Sequence, residues 1–337
     1  MRVRVVAAIG AGIFMCGWGG HALAQDWASM PYTLHSTYQA VNSDGSSAYA
    51  GGFPMRMRGI VLANTEDWLD PTPGYTPTYQ PFVMGGQAEL IIQSIEPGDF
   101  GGTFAWMGQN YGNLPFKGDP IFSYTNAEWT AELGRLGLFG GDGVTRPIRA
   151  GDLIEVRART GLFYAGKMNV NEAHDKSPSR DFEVVLLQAN YGLPAPAPLT
   201  LSDLKDATDQ FIFDASRATG AEHYQGMLVE LRNVRFSAAT IGNWGVNKNL
   251  ILEDDTGRTL PVRLGLNPSF ATTPVIDDLF HVVGILDQAD SILPHDSGYR
   301  LLVMNAADFT IVPEPSASLV FLPVLLMLLR RRPRGGA

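Results

Sequence analysis

Residues 227–236 read MLVELRNVRF, apolar side chains alternating with polar or charged ones along the segment. A period near two is the mark of a half-buried β-strand. Leu250-Ile251-Leu252-Glu253 and Leu260 to Leu264 follow, on either side of Asp254-Asp255-Thr256-Gly257, a hairpin turn signal. Beyond Asp277-Asp278 come Leu279 to Leu286 (LFHVVGIL), Tyr299 to Met304 (YRLLVM) and Phe309 to Val312. Short strands of this kind, separated by turns, predict a small β domain over 222–312.

Working outward, the preceding part of the chain shows the same succession. Met55 to Leu62 (MRMRGIVL), Ala88 to Ser94, Leu153 to Thr160, Lys167 to Val170 and Phe182 to Gln188 all read as strands. Two sets in the same order imply a tandem repeat, with the first β domain over 53–192. Residues 25–52 are rich in Ser, Ala, Gly and Tyr and form a lead-in. Leu193 to Pro198 (LPAPAP) reads as a stiff linker. It runs into a helix from Thr200, with capping-box spacing to Asp203 and apolar Leu201, Leu204, Ala207 and Phe211. Linker and helix together fill 193–221, and the helix is expected to pack on the second domain.

The segments YQGMLVELRNVRF, LEDDTGRTLPVRL, HVVGILDQADS and YRLLVMNAADFTI resemble the OB-fold modules found in tandem in exported bacterial proteins, some of them attached to extracellular nucleases. The resemblance spans Tyr224 to Val312 well and 53–190 more loosely. It implies a mainly β fold: two tandem OB-like Greek-key barrels with long loops and one short packing helix. Barrel closure removes the exposed strand edges.

Both ends read as sorting signals. Arg2 and Arg4 precede an apolar stretch from Val5 to Trp18, then Ala22-Leu23-Ala24 before Gln25. This is the layout of a secretory signal peptide over 1–24, with cleavage after Ala24. At the other end Pro313-Glu314-Pro315 is followed by apolar Ala317 to Leu329 and then Arg330-Arg331-Arg332. The order resembles the PEP-CTERM sorting signal of Gram-negative bacteria and fills the tail, 313–337. Apolar residues partition into the bilayer while the arginines stay on the cytoplasmic side, so both ends are expected to be hydrophobic helices. The resemblance implies cutting by an exosortase and passage to the cell surface or matrix. The alternative is an uncleaved anchor. The expected partners are secretion machinery, signal peptidase, exosortase and a surface polysaccharide.

The formal charge is −9, from 25 basic and 34 acidic residues. Without 1–24 and 313–337, 19 basic and 33 acidic residues remain, a charge of −14. Such a body repels polyanions at long range. Nucleic-acid binding would need a local basic stripe, and Arg56, Arg58, Arg157 and Arg159 are its candidates. The single cysteine, Cys16, lies in the signal, so the body has neither a disulfide nor a thiolate site. No phosphate-loop, nucleophile-elbow or zinc-helix motif occurs, and no catalytic residue, metal or cofactor is expected. His174 beside Glu172 and Asp175, His295 beside Asp296, and Glu253 to Asp255 with Asp287 and Asp290 are weaker metal candidates. His281 reads as a sheet residue. An insertion over 98–143 is dense in Gly and aromatic rings. Its Trp106, Tyr111 and Trp129, with Trp68 and Trp244, form a candidate ligand surface, since exposed rings stack on sugars or bases. The alternative is that these rings fill a small core. The function expected is a non-enzymatic binding or spacer protein; the alternatives are a nucleic-acid binder or nuclease accessory and, behind it, a hydrolase.

Overall fold

The computed structural model describes residues 25–76, 82–138, 146–272 and 279–312. The expected signal peptide with Ala22 and Ala24, and the expected sorting tail with Pro313, Glu314, Pro315 and Arg330 to Arg332, lie outside the described residues. Among the described residues no helix is long and apolar enough to cross a membrane. Residues 25–30, which begin at the expected cleavage site, belong to a small unit with one 3-10 turn at Trp27–Ser29. Everything described from Pro31 onward belongs to one compact unit.

That unit is mainly β. The strands of its second half are β9 (Leu228–Phe236), β10 (Asn249–Glu253), β11 (Thr259–Leu264), β12 (Phe280–Gln288), β13 (Tyr299–Val303) and β14 (Phe309–Ile311). The alternating 228–236 segment pairs antiparallel with β10 on one edge and β12 on the other. Since β10 pairs β11, β11 runs parallel to β13, and β13 pairs β12, the ring β9-β10-β11-β13-β12 closes into a five-stranded barrel. Leu231, Val234, Leu252, Val262, Val282, Leu286 and Leu301 fill it.

The first half is a seven-stranded sheet of β1 (Met55–Val61), β2 (Gln87–Ser94), β3 (Gly102–Gly108), β4 (Leu153–Ala158), β5 (Gly161–Tyr164), β6 (Lys167–Asn171) and β7 (Phe182–Gln188). The pairings follow the same plan. β1 lies between β2 and β4, β3 runs parallel to β6, and β7 joins β4 as β14 joins β12. β5 is separated from β4 by two residues and pairs β6.

Three sequence expectations change. β3 and β5 were not expected as strands; GTFAWMG, taken as the start of the insertion, is central to the sheet. The insertion itself contains α2 (Asn126–Arg135), closed by a Thr125–Glu128 capping box, with Trp129 and Leu133 buried beneath it. The helix expected from Thr200 is a single turn, α3 (Leu201–Leu204), capped as predicted, after which Lys205 pairs Phe211 across a bridge.

The lead-in and the linker carry matching elements. α1 (His35–Tyr38) and α3 are each preceded by parallel pairing to a sheet strand: Tyr32 to Arg56 in the first half, β8 (Ala197–Leu199) to β9 in the second. Each turn is followed by a small hairpin bridge, Val41 to Ser47 and Lys205 to Phe211. Tyr38 and Tyr49 pack into the first core, and Leu199, Leu204 and Phe211 into the second. A last short helix, α4 (Gly220–Tyr224), leads into β9.

Candidate functional site

Along β2, Ala88, Leu90 and Ile92 enter the first core, so the pleat turns Gln87, Glu89 and Ile91 to the opposite face. In β6, Met168 and Val170 point inward, leaving Lys167, Asn169 and Asn171 outward. The second barrel does the same with Asp287 and Ile285 of β12 and with Arg300 and Leu302 of β13. These outward faces meet. Leu62, Trp68, Leu69, Ile91 and Phe104 of the first half pack against Leu228, Ile285 and Leu302 of the second in a third apolar cluster.

Beside that cluster lies a cavity of about 410 Å³ with walls from both halves. Its deep end is ionic. Lys167 Nζ donates to Asp287 Oδ1 at 2.6 Å and to the Gln288 carbonyl, and lies 4.6 Å from the Phe104 ring centre. Arg300 donates to Asp287 Oδ2 through Nε at 2.9 Å. Burial alone would raise the Asp287 carboxyl, but the Lys167 and Arg300 charges outweigh it and hold it below the usual carboxylate range. Glu89 accepts the Trp68 indole N–H at 2.7 Å. Burial pushes its carboxyl up to about 7, with Asp287 adding and Lys167 opposing. The Arg263 guanidinium stands 4.3 Å over the Trp68 ring and donates to Asn247 Oδ1 at 2.8 Å.

The mouth is aromatic. Trp106 and His174 stand behind exposed Phe82, Phe116 and Tyr164. His174 lies 5.4 to 6.0 Å from the rings of Tyr111, Phe116 and Trp106, and burial, with the Lys117 charge, lowers its pKa. Asn171, buried in the wall, leaves its Oδ1 without a hydrogen-bond partner.

No protein-family model matches the chain, and no curated protein does either.

Of the five aromatic candidates, Trp68 and Trp106 line this cavity. Tyr111 and Trp129 are fully buried and offer no surface; the Trp129 N–H is spent on the Pro71 carbonyl at 2.7 Å. Trp244 is elsewhere, packed on Phe236, Phe270 and Phe309 at one end of the second barrel, its N–H on the Thr272 carbonyl.

The arginine stripe is present but neutralised. Arg56 and Arg157 meet Glu155, Arg58 meets Glu96, and Arg159 meets Glu183. The metal candidates are dispersed. Glu172 is held by two tyrosines, Asp254 closes its own turn, Asp290 accepts from Ser297, and His295 lies on the Asp290 carbonyl. His281 Nδ1 accepts from the Asn233 amide. Among the described residues no three His, Cys, Asp or Glu side chains are grouped to hold a metal ion.

Glu89, Lys167, Arg263 and Arg300 were not foreseen. Their one signal was a charge at the end of an otherwise apolar strand, as in AELIIQS and YRLLVM.

Proposed function

We propose that the chain is an exported, exosortase-sorted surface or matrix protein whose tandem OB-like barrels bind a ligand without transforming it. The observation that carries the binding half is the cavity: both repeats contribute walls, and aromatic rings at its mouth lead to fixed charges at its floor. The strand plan supports the OB-like reading, since a five-stranded ring with one parallel pair is the expected Greek-key closure. In an OB barrel the second and third strands and the adjoining loops form the ligand face. Here Gln87, Glu89 and Trp106 occupy those two strands.

Binding without chemistry is the reading because the cavity's carboxylates are engaged by neighbours. Asp287 is clamped between two cations and Glu89 accepts an indole N–H. The ion-paired arginine stripe and the −14 body weigh against nucleic acid.

The export half rests on the sequence of the two ends. Intact mass of the protein from envelope and culture fractions tests it, in the native host with and without its exosortase. The expected product begins at Gln25, ends near Pro313, and is lost without the exosortase. A product retaining Arg330 to Arg332 in both strains would replace sorting with permanent anchoring.

A further inference from the structure

We infer that the inter-barrel cavity receives the end of a short acidic glycan, a sugar residue bearing one carboxylate. This rests on the reading of the cavity as a binding site and adds the ligand's chemistry.

The mouth sets the first requirement. Phe116 and Tyr164 are 68% and 63% exposed, and Phe82 joins them at the same opening. Single exposed rings are ordinary, but several around one concave opening mark an interaction surface. Flat ring faces suit a partner that is apolar on one side and polar at its edge, as a pyranose ring is.

The wall sets the second. Asn171 is 3% exposed, and its Oδ1 accepts no hydrogen bond. A buried acceptor without a donor costs about 1–3 kcal/mol, a cost removed when a ligand supplies an O–H or N–H. Asn169 and Gln87 lie on the same lining but already bond the Leu162 and Lys167 carbonyls and the Trp106 N–H, so the wall asks for one ligand donor at Asn171.

Charge sets the third. Lys167, Arg263 and Arg300 face Asp287 and Glu89, which leaves a net positive floor inside a body of −14. The general field turns polyanions away, while a local positive site still holds a single anion that reaches it. The Trp68 ring supports the Arg263 guanidinium at the cavity wall, and its planar fork suits a carboxylate. A volume near 410 Å³ is at the small end of ligand sites and limits the occupant to a chain end.

Calorimetric titration of the body, residues 25–312, with digalacturonate, neutral galactobiose and a panel of nucleotides and short peptides tests this. Digalacturonate is expected to bind about tenfold tighter than galactobiose at low salt. Arg263→Met should reduce that ratio to about two, and Arg263→Lys should restore part of it. Tyr164→Ala, at an exposed position, should weaken both sugars by about tenfold. Circular dichroism checks that each variant is folded. Equal affinity for the two disaccharides, or a ratio insensitive to Arg263, overturns the carboxylate. A panel compound that binds and is lost in Tyr164→Ala, with no sugar bound, overturns the glycan but keeps the cavity as a binding site. If nothing binds to the folded protein, the glycan and the binding reading fall together.

Discussion

Glu172 sits under two phenols. Tyr111 donates to its Oε2 at 2.9 Å and Tyr124 to its Oε1 at 3.0 Å. Burial nonetheless pushes its carboxyl up to about 7; the two hydrogen bonds oppose that only in part, and Asp181 and Glu132 add a smaller repulsion. The folded pKa lies above the unfolded one, so the folded state binds more protons between about 4.5 and 7. Stability from this residue is therefore full below the unfolded value and lost as pH rises through about 7. Glu89 acts in the same direction, since its carboxyl is also raised to about 7. Glu172→Gln keeps the shape, and its amide both donates and accepts, as the neutral acid does. It is expected to leave stability at pH 5 nearly unchanged and to shrink the loss between pH 5 and 8 by about 1–3 kcal/mol in urea titrations. An unchanged pH slope would mean that Glu172 titrates normally.

At the scale of the element, the strands with clean alternation were legible and those without it were not. MLVELRNVRF turns one face to the core and the other largely to solvent, and the period shows. GTFAWMG is buried at six of its seven positions in β3, so no alternation survives and its glycines read as loop. Ala197–Leu199 was hidden by prolines, which a short strand at the end of a sheet tolerates. Helix α2 had a signal that was passed over. Thr125 and Glu128 are spaced as a capping box, and Trp129, Leu133 and Leu136 follow at helical intervals, all buried. Its glycine-rich surroundings obscured that. The cap makes a prediction. Glu128 N donates to Thr125 Oγ1 at 3.2 Å, and Thr125 N donates to Glu128 Oε2 at 2.7 Å. Thr125→Ala should cost about 0.5–2 kcal/mol by chemical denaturation. No change would show that burial of Trp129 alone holds the helix in place.

At the scale of the whole molecule the cavity was not legible, because its walls come from residues between 68 and 300 that only the packing of two repeats brings together. That packing is intimate. Gly102 N donates to the Gln225 carbonyl at 2.9 Å, Leu228 N to Gln93 Oε1 at 2.8 Å, and Leu266 N to the Asp67 carbonyl at 2.8 Å. The apolar cluster around Trp68, Ile91, Leu228 and Leu302 is buried between the two halves. Two repeats that share buried surface in this way should unfold together, since neither keeps its outward face covered alone. Scanning calorimetry of the body is therefore expected to show one transition with equal calorimetric and van't Hoff enthalpies. Gly102 is the place to break it. A Cβ there would fall 2.1 Å from the Gly226 carbonyl oxygen and 2.8 Å from that of Ile92. Both are backbone atoms, which cannot swing aside as a side chain would. Gly102→Ala should push the halves apart, lower the main transition and split it into two, with each half keeping its own core. A single undiminished transition in that variant would show that the two halves are coupled elsewhere, and the cavity between them would then lose its claim to a fixed shape.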